Sequence, residues 1–387
     1  MRIIFLESIH NYGGASKSTL EIAQRLIDVG HQVCVVDFWG SCQSYVDDCF
    51  LKNIPLKILD KREKPILLKD KGKMNTVINY AKFLMTKWVY KNRMSKIIAD
   101  FNPQLISVNN TKTLSILSSS KSYRIAYFAR GWFLPNTFNL LTKQLLKKRV
   151  DVFLTVSEAT RHMVYASGFA ELNDIYVIQN AINPQKLRNK INPKDWVLSW
   201  DKNNGRCFNI MHCGTFIKTK GQHISVEVLK RLVDKKINVK LILVGLISSA
   251  ESSKNYFDHI RNLVKEYELS DHVEFVINKS DILTYYSKID LLMHPSYSEG
   301  LPRVVLEAMA FGKPVIGNAV GGMIDIISNN YTGFLTNFNA IDEYVDYAEM
   351  LINDKVKYKF ISENAYGLIK SNYTEKNQIQ AFKKIDV

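Results

Sequence analysis

The chain has 387 residues, 46% of them hydrophobic and 23% charged, and 52 Lys+Arg against 37 Asp+Glu give it a formal charge of +15. That length and apolar content suit two cores of ordinary domain size, and no internal repeat or low-complexity tract stands out. No run approaches the ~18 apolar residues of a membrane-crossing helix. The five cysteines, at 34, 42, 49, 207 and 213, form no C-x-x-C and read as reduced thiols, which sets aside a disulfide framework and a zinc pattern. Residues 1–9 carry Arg2 and Glu7 and are too short for a signal peptide.

Residues 1–37 read as strand, glycine loop, amphipathic helix and strand. Residues 3–6 are apolar, Gly13 and Gly14 form the loop, and Leu20, Ala23, Leu26 and Ile27 make a helical stripe that Gly30 closes before residues 33–36. This is a nucleotide-fold opening, in which glycines let a backbone come close to phosphate or sugar. A plain tight turn is the alternative. There is no G-x-G-x-x-G, and Lys17-Ser18 follows Ser16 and Asn11 where a P-loop needs its glycines.

Charge is uneven. Residues 1–195 hold 29 Lys+Arg and 15 Asp+Glu, whereas the remainder holds 23 and 22. Between Lys61 and Lys96 eleven basic residues face only Glu63 and Asp70. Within a basic region at about 61–99, Val77, Tyr80, Ala81, Leu84 and Trp88 recur at helical spacing beside Lys82, Lys87, Lys91 and Arg93. That is the composition of a helix lying on anionic lipid. Lys143, Lys147, Lys148 and Arg149 add a second cluster. A solvated or core-packed helix is another reading, and a nucleic-acid surface a third, though no recognition motif accompanies the charge.

The polar, breaker-rich residues 183–205 suit a linker. After it, strands are predicted near 207–211, 240–244, 273–277, 290–293 and 314–316. Helical patterns alternate with β-branched runs along the chain, which predicts an α/β protein with parallel sheets.

The densest motif runs through residues 294–317. It holds Ser298-Glu299-Gly300-Leu301-Pro302 and then Leu306-Glu307-Ala308-Met309-Ala310, with seven residues between the two glutamates. A turn-rich stretch enters a helix, so the amides of Gly300, Leu301 and the first turn together with the helix dipole favour a phosphate. Glu299 sits on the lip of that anion site, and Glu307 lies two turns in, roughly 10 Å along the axis at 1.5 Å per residue. One carboxylate can meet a sugar at one end of a diphosphate and the other can accept ribose hydroxyls at the far end. An ordinary loop and helix with solvated glutamates is the bland alternative.

This motif resembles the signature of retaining GT-B glycosyltransferases, in particular family 4. The resemblance implies two Rossmann-like doubly wound domains facing a cleft. It places an acceptor domain at 1–195, a nucleotide-sugar domain at 196–370, and a helix at 371–387 crossing back to the first, entered through Tyr373-Thr374-Glu375-Lys376. The stretch from His212 to Gly221 is similar to the strand-turn-helix that opens the donor domain. It implies donor binding by Gly214 and Thr215, with Lys220 pairing the pyrophosphate, although many members carry an Arg at the position of Thr215. The resemblance also implies that Gly13 and Gly14 face the donor across the cleft, that Glu299 orients the sugar, that Gly300 and Leu301 amides meet the diphosphate, and that Glu307 binds ribose. At Arg130, before Gly131, many members carry a His. Arg130 cannot act as a base at neutral pH; it can stabilise charge on the leaving phosphate, or it orients the loop.

The expectation is a metal-independent transferase without cofactor, since no D-x-D triplet occurs. It would move a sugar from a nucleoside-diphosphate-sugar to a glycan or lipid-linked acceptor, in surface polysaccharide or lipopolysaccharide synthesis. The expected place is the cytoplasm, peripheral at the inner face of an anionic membrane. A nucleotide-sugar-binding or membrane scaffold protein without turnover is the alternative.

Overall fold

The computed structural model describes residues 1–62, 66, 73–118, 122–189, 205–248, 250–279 and 282–385. Most of the expected linker, the boundary at 195/196, and Glu63, Lys64, Lys69, Asp70 and Lys71 of the basic stretch lie outside the described residues.

Two parallel sheets make up the molecule. The first contains β1 (Arg2–Glu7), β2 (Gln32–Asp37), β3 (Leu56–Ile58), β4 (Leu105–Val108), β5 (Arg124–Ala129), β6 (Val152–Thr155) and β7 (Ile175–Val177) in the order β3-β2-β1-β4-β5-β6-β7. The second contains β8 (Phe208–Cys213), β9 (Val239–Gly245), β10 (Val273–Ile277), β11 (Leu291–His294), β12 (Val315–Asn318) and β13 (Phe334–Thr336) in the order β10-β9-β8-β11-β12-β13. Strands such as Ile3 to Leu6 and Val33 to Val36 are apolar at successive positions because helices cover both faces of a parallel sheet. In each sheet the order reverses beside the first strand, between β1 and β4 and between β8 and β11. This is the α/β architecture of two Rossmann-like units expected from the alternating pattern.

The helix Lys73–Phe101 has two apolar faces. Phe83, Tyr90 and Met94 are buried, with the Phe83 and Tyr90 rings against Phe38. On the other side Val77, Tyr80, Leu84, Met85 and Trp88 face solvent, Met85 and Trp88 at 80% and 70% exposure. Arg93 is not a free surface cation: its guanidinium donates to the Leu59 carbonyl and lies 3.4 Å from Asp60. Among the described residues no helix is long and apolar enough to cross a membrane.

The last helix, Glu375–Lys383, begins at Thr374, whose hydroxyl accepts from the Asn377 amide. It packs on the first domain. Ile379, Phe382 and Ile385 share one core with Leu20, Ala23 and Ile178, Arg25 donates to Gln378 at 2.6 Å, and Gln378 donates to the Gln179 carbonyl at 2.6 Å. Phe382 is 1% exposed, so Phe382→Ala should lower stability by about 3–5 kcal/mol. A thermal melt checks this; an unchanged midpoint would mean that the helix adds nothing to the fold.

Candidate active site

The loops that leave the carboxyl edges of both sheets at their reversal points meet across one cleft, the position where open α/β sheets bind ligands. They enclose a cavity of about 370 Å³. Gly14, Ala15, Ser18, Arg130 and Gly131 line it from the first domain, and Gly214, Thr215, Lys220, His294 and residues 298–304 from the second.

Lys220 ends a short 3-10 turn, Lys218–Lys220, closed by Gly221 at φ 75. A Cβ on Gly221 would collide with the Pro295 carbonyl oxygen. Only glycine therefore lets this turn dock against the loop after β11, and the docking aims Lys220 at Glu299. Its Nζ lies 2.5 Å from Glu299 Oε1, and His294 Nε2 meets the same oxygen at 2.8 Å. Burial acts to raise the Glu299 carboxyl, but His294 and Lys220 outweigh it and hold the group at about 2. Glu299 is thus ionised, with Oε1 fixed by two cationic or polar donors and Oε2 without a protein partner among the described residues.

Beside it, the helix Arg303–Ala310 starts after Pro302, which is its N-cap rather than its first residue. The backbone N–H groups of Gly300, Leu301, Arg303 and Val304 have no protein acceptor among the described residues. These donors and the helix dipole make a site for negative charge. Across the cleft, Arg130 donates from Nη1 to Ser18 Oγ at 3.0 Å and stacks over Phe128, with 3.9 Å from its guanidinium carbon to the ring centroid. Its Nε and Nη2 are buried without a partner. Burial pushes the guanidinium down to about 10, so it stays charged at neutral pH.

Glu307 takes a different place from Glu299. It is buried and does not line the cavity. Tyr286 donates to its Oε2 at 2.9 Å, and Arg303 Nη2 lies 3.2 Å from its Oε1. Arg303 also pairs with Glu21 of the first domain, at 2.6 and 2.9 Å. Gly13 caps the helix Gly14–Asp28 and borders open space, and Gly14, which lines the cavity, has the Arg303 side chain against it. Among the described residues no three His, Cys, Asp or Glu side chains could hold a metal ion together.

Residues 202–368 match the sequence family described as Glycosyl transferases group 1, and residues 12–186 match Glycosyltransferase Family 4. The chain belongs to the family 4 type of GT-B glycosyltransferases. Among curated relatives of this family, the capsular polysaccharide biosynthesis glycosyltransferase CapM of Staphylococcus aureus is 29% identical over 231 residues, 57% of each chain. An uncharacterized glycosyltransferase of Haemophilus influenzae is 29% identical over 246 residues, 63% of this chain and 64% of that one. The match therefore spans less than two thirds of these relatives. The GT-B fold extends further: the structure of Anabaena Alr3699/HepE in complex with UDP and glucose superposes with a TM-score of 0.77 at 21% identity over all of both chains. Staphylococcus aureus TarM, in complex with Fondaparinux, alpha-GlcNAc-glycerol and UDP, gives 0.78 at 13% identity over 99% of each.

Several cleft residues of this GT-B protein escape a reading by motif. Ser18 donates to Asn180 at 2.6 Å and Asn180 donates to the Leu301 carbonyl at 2.8 Å, a relay that joins the domains. His294 opens the motif, yet nothing in its spacing announces its bond to Glu299. A carboxyl at about 2 in the folded state and near 4.5 unfolded contributes stability that is complete above pH 4.5 and lost as pH falls toward 2. The melting-temperature gap between wild type and Glu299→Gln should accordingly be widest above pH 4.5 and close between 4.5 and 2. A constant gap through that window would show that Lys220 and His294 do not hold this carboxylate.

Proposed function

We propose that this protein is a retaining glycosyltransferase that moves a sugar from a nucleoside-diphosphate-sugar to a glycan or lipid-linked acceptor. The observation that carries the reading is Glu299, an ionised carboxylate held on one oxygen and unengaged on the other, beside four unpartnered amides. Solved GT-B structures of Anabaena Alr3699/HepE with UDP and with UDP-glucose support a nucleotide-sugar donor.

In this reading the diphosphate accepts from the Gly300 and Leu301 amides and from Lys220. Arg130, which lines the same cavity, adds positive charge from the first domain. As the bond from sugar to phosphate breaks, its electron pair goes to the leaving diphosphate, which these fixed cations and amides stabilise without reorganising. The acceptor hydroxyl oxygen bonds the sugar on the same face, and its proton passes to the departing phosphate oxygen. Glu299 Oε2 accepts from sugar hydroxyls. Glu307 is engaged by Arg303 and Tyr286 but keeps acceptor capacity for the ribose, and Arg303 links this carboxylate to Glu21 of the first domain. The phosphate charge is met by protein groups, and metal independence follows.

The test is transfer of labelled sugar from a UDP-sugar into membrane lipid extract. Lys220→Met should lower kcat about 100- to 1000-fold, the range for removing one such donor. Glu307→Ala should weaken nucleotide binding by about 1.5–3 kcal/mol in calorimetry. EDTA should leave the rate nearly intact; its loss with EDTA and return with magnesium would contradict this site. UDP-sugar binding without any transfer would favour a non-catalytic binder instead.

The open apolar face of the helix Lys73–Phe101, with Lys82, Lys87 and Lys91 beside Trp88 and Met85, supports docking on an anionic membrane at the acceptor side. Each such lysine contributes about 1 kcal/mol near the surface. Replacing the three with Gln should release the protein from anionic vesicles while UDP affinity in solution stays the same. Native protein that ignores anionic vesicles at moderate salt would point to a soluble acceptor.

A further inference from the structure

The carboxyl edge of the first sheet holds another cation, which the donor site does not use. Lys112 follows β4. Its ammonium lies 4.2 Å from the Trp39 ring centroid and 5.8 Å from that of Phe38, and no carboxylate pairs with it among the described residues. Partial burial pushes it down to about 8. The aromatic wall is rigid: Trp39 is fully buried and its Nε1 donates to Tyr90 at 3.2 Å.

The neighbouring groups add unsatisfied capacity, and the one carboxylate that acts on this charge, Asp37, does so without a direct ion pair. His10 stacks on Trp39 with 4.9 Å between centroids, and its Nδ1 is buried without a partner. Burial, and then Lys112, lower His10 to about 4, so its ring is neutral. Asp37 is taken up by the Ile9 amide at 2.9 Å and the Gly40 amide at 2.8 Å. Glu7 accepts from Thr19 at 3.0 Å and from Asn109. A partly desolvated ammonium that feels Asp37 only at a distance and has no direct ion pair, next to a ring nitrogen with no partner, is costly unless a ligand supplies the acceptor.

We propose that Lys112 and His10 hold a phosphate group of the acceptor, which makes the acceptor a phosphate-linked saccharide. This rests on the first domain being the acceptor side. The phosphate is anchored beside Trp39, while the accepting hydroxyl reaches across the cleft toward the sugar at Glu299. A compact ammonium suits phosphate as a point charge.

Calorimetry with inorganic pyrophosphate tests this on protein whose donor site is already saturated with UDP. Wild type should bind it saturably. Lys112→Gln should weaken that binding at least tenfold, Lys112→Arg should keep it within a few-fold, and His10→Phe, which preserves the stack on Trp39, should weaken it independently. No binding to UDP-loaded wild type, or equal affinity in Lys112→Gln, overturns the site. So does a Lys112→Gln protein that only melts earlier, because that is a structural lysine. Failure of wild type to bind UDP counts against the donor reading instead. The Lys112 comparison is then made in a Lys220→Gln background, where pyrophosphate affinity that still depends on Lys112 keeps the subsite and affinity that does not removes it.

Discussion

The loop 298–302 is pressed between the two domains at backbone contact, and the rest of the cleft depends on that closeness. A Cβ on Gly300 would overlap the Arg130 carbonyl oxygen, one on Gly321 would overlap the Glu299 carbonyl, and one on Gly322 that of Gly300. Backbone thus lies on backbone in three layers, with Ser298 donating to the Trp132 carbonyl at 2.9 Å to fix the register. The Glu299 side chain is left nearly enclosed at the edge of the cavity. In such a setting the attraction of Lys220 and His294 outweighs the cost of burying the charge, which is why a nearly enclosed carboxyl is held low when burial alone would raise it.

The same closeness settles which cations have charge to spare. Lys220 already donates to Glu299 and keeps two further N–H donors, whereas Arg303 is committed to Glu21 and Glu307. Arg130 has no such partner at Nε and Nη2. Glu7 acts on its charge from within the first domain, so Arg130 is a buried cation beside the cavity, opposite the amides of the second domain. Thr215 stands where the resemblance implies an arginine, and the presence of Arg130 and Arg303 along the cavity means that its neutral side chain does not leave the site without guanidinium groups.

The legible part of this organisation was whatever repeats within a short window. The apolar runs of β1, β2 and β8 to β12 are visible because parallel strands are buried on both faces, and the motif from Ser298 to Ala310 carries its own turn and helix. The three-residue strands β3 and β13 are too short to stand out by pattern. Glu307 shows the limit more sharply. Its spacing from Glu299 is correct for a second ligand, yet its partners Tyr286 and Arg303, and through Arg303 the distant Glu21, arise from packing that no local period encodes. The helix Lys73–Phe101 blurs its own periodicity, since core residues Phe83, Tyr90 and Met94 interleave with the exposed stripe. Gly13-Gly14 reads as one unit, but only Gly14 has a neighbour from the other domain.

The contacts that close the cleft differ in kind from those that hold each domain, and the difference assigns the moving parts. Asp325 accepts from the Glu158 and Ala159 amides at 2.5 and 3.3 Å, and the nearly buried Arg303 pairs with Glu21. The last helix is different. Phe382, Ile385 and Ile379 are packed into the first domain, so that helix travels with it. The Ile182 amide donates to the Tyr373 carbonyl at 2.8 Å, and the Tyr373 hydroxyl donates to the Asp325 carbonyl at 3.0 Å. Tyr373 therefore touches both bodies at the point where the chain passes from one to the other. The Arg303–Glu21 pair spans the same two bodies, and that arginine also occupies Glu307, so the interdomain contact and the second carboxylate share one guanidinium.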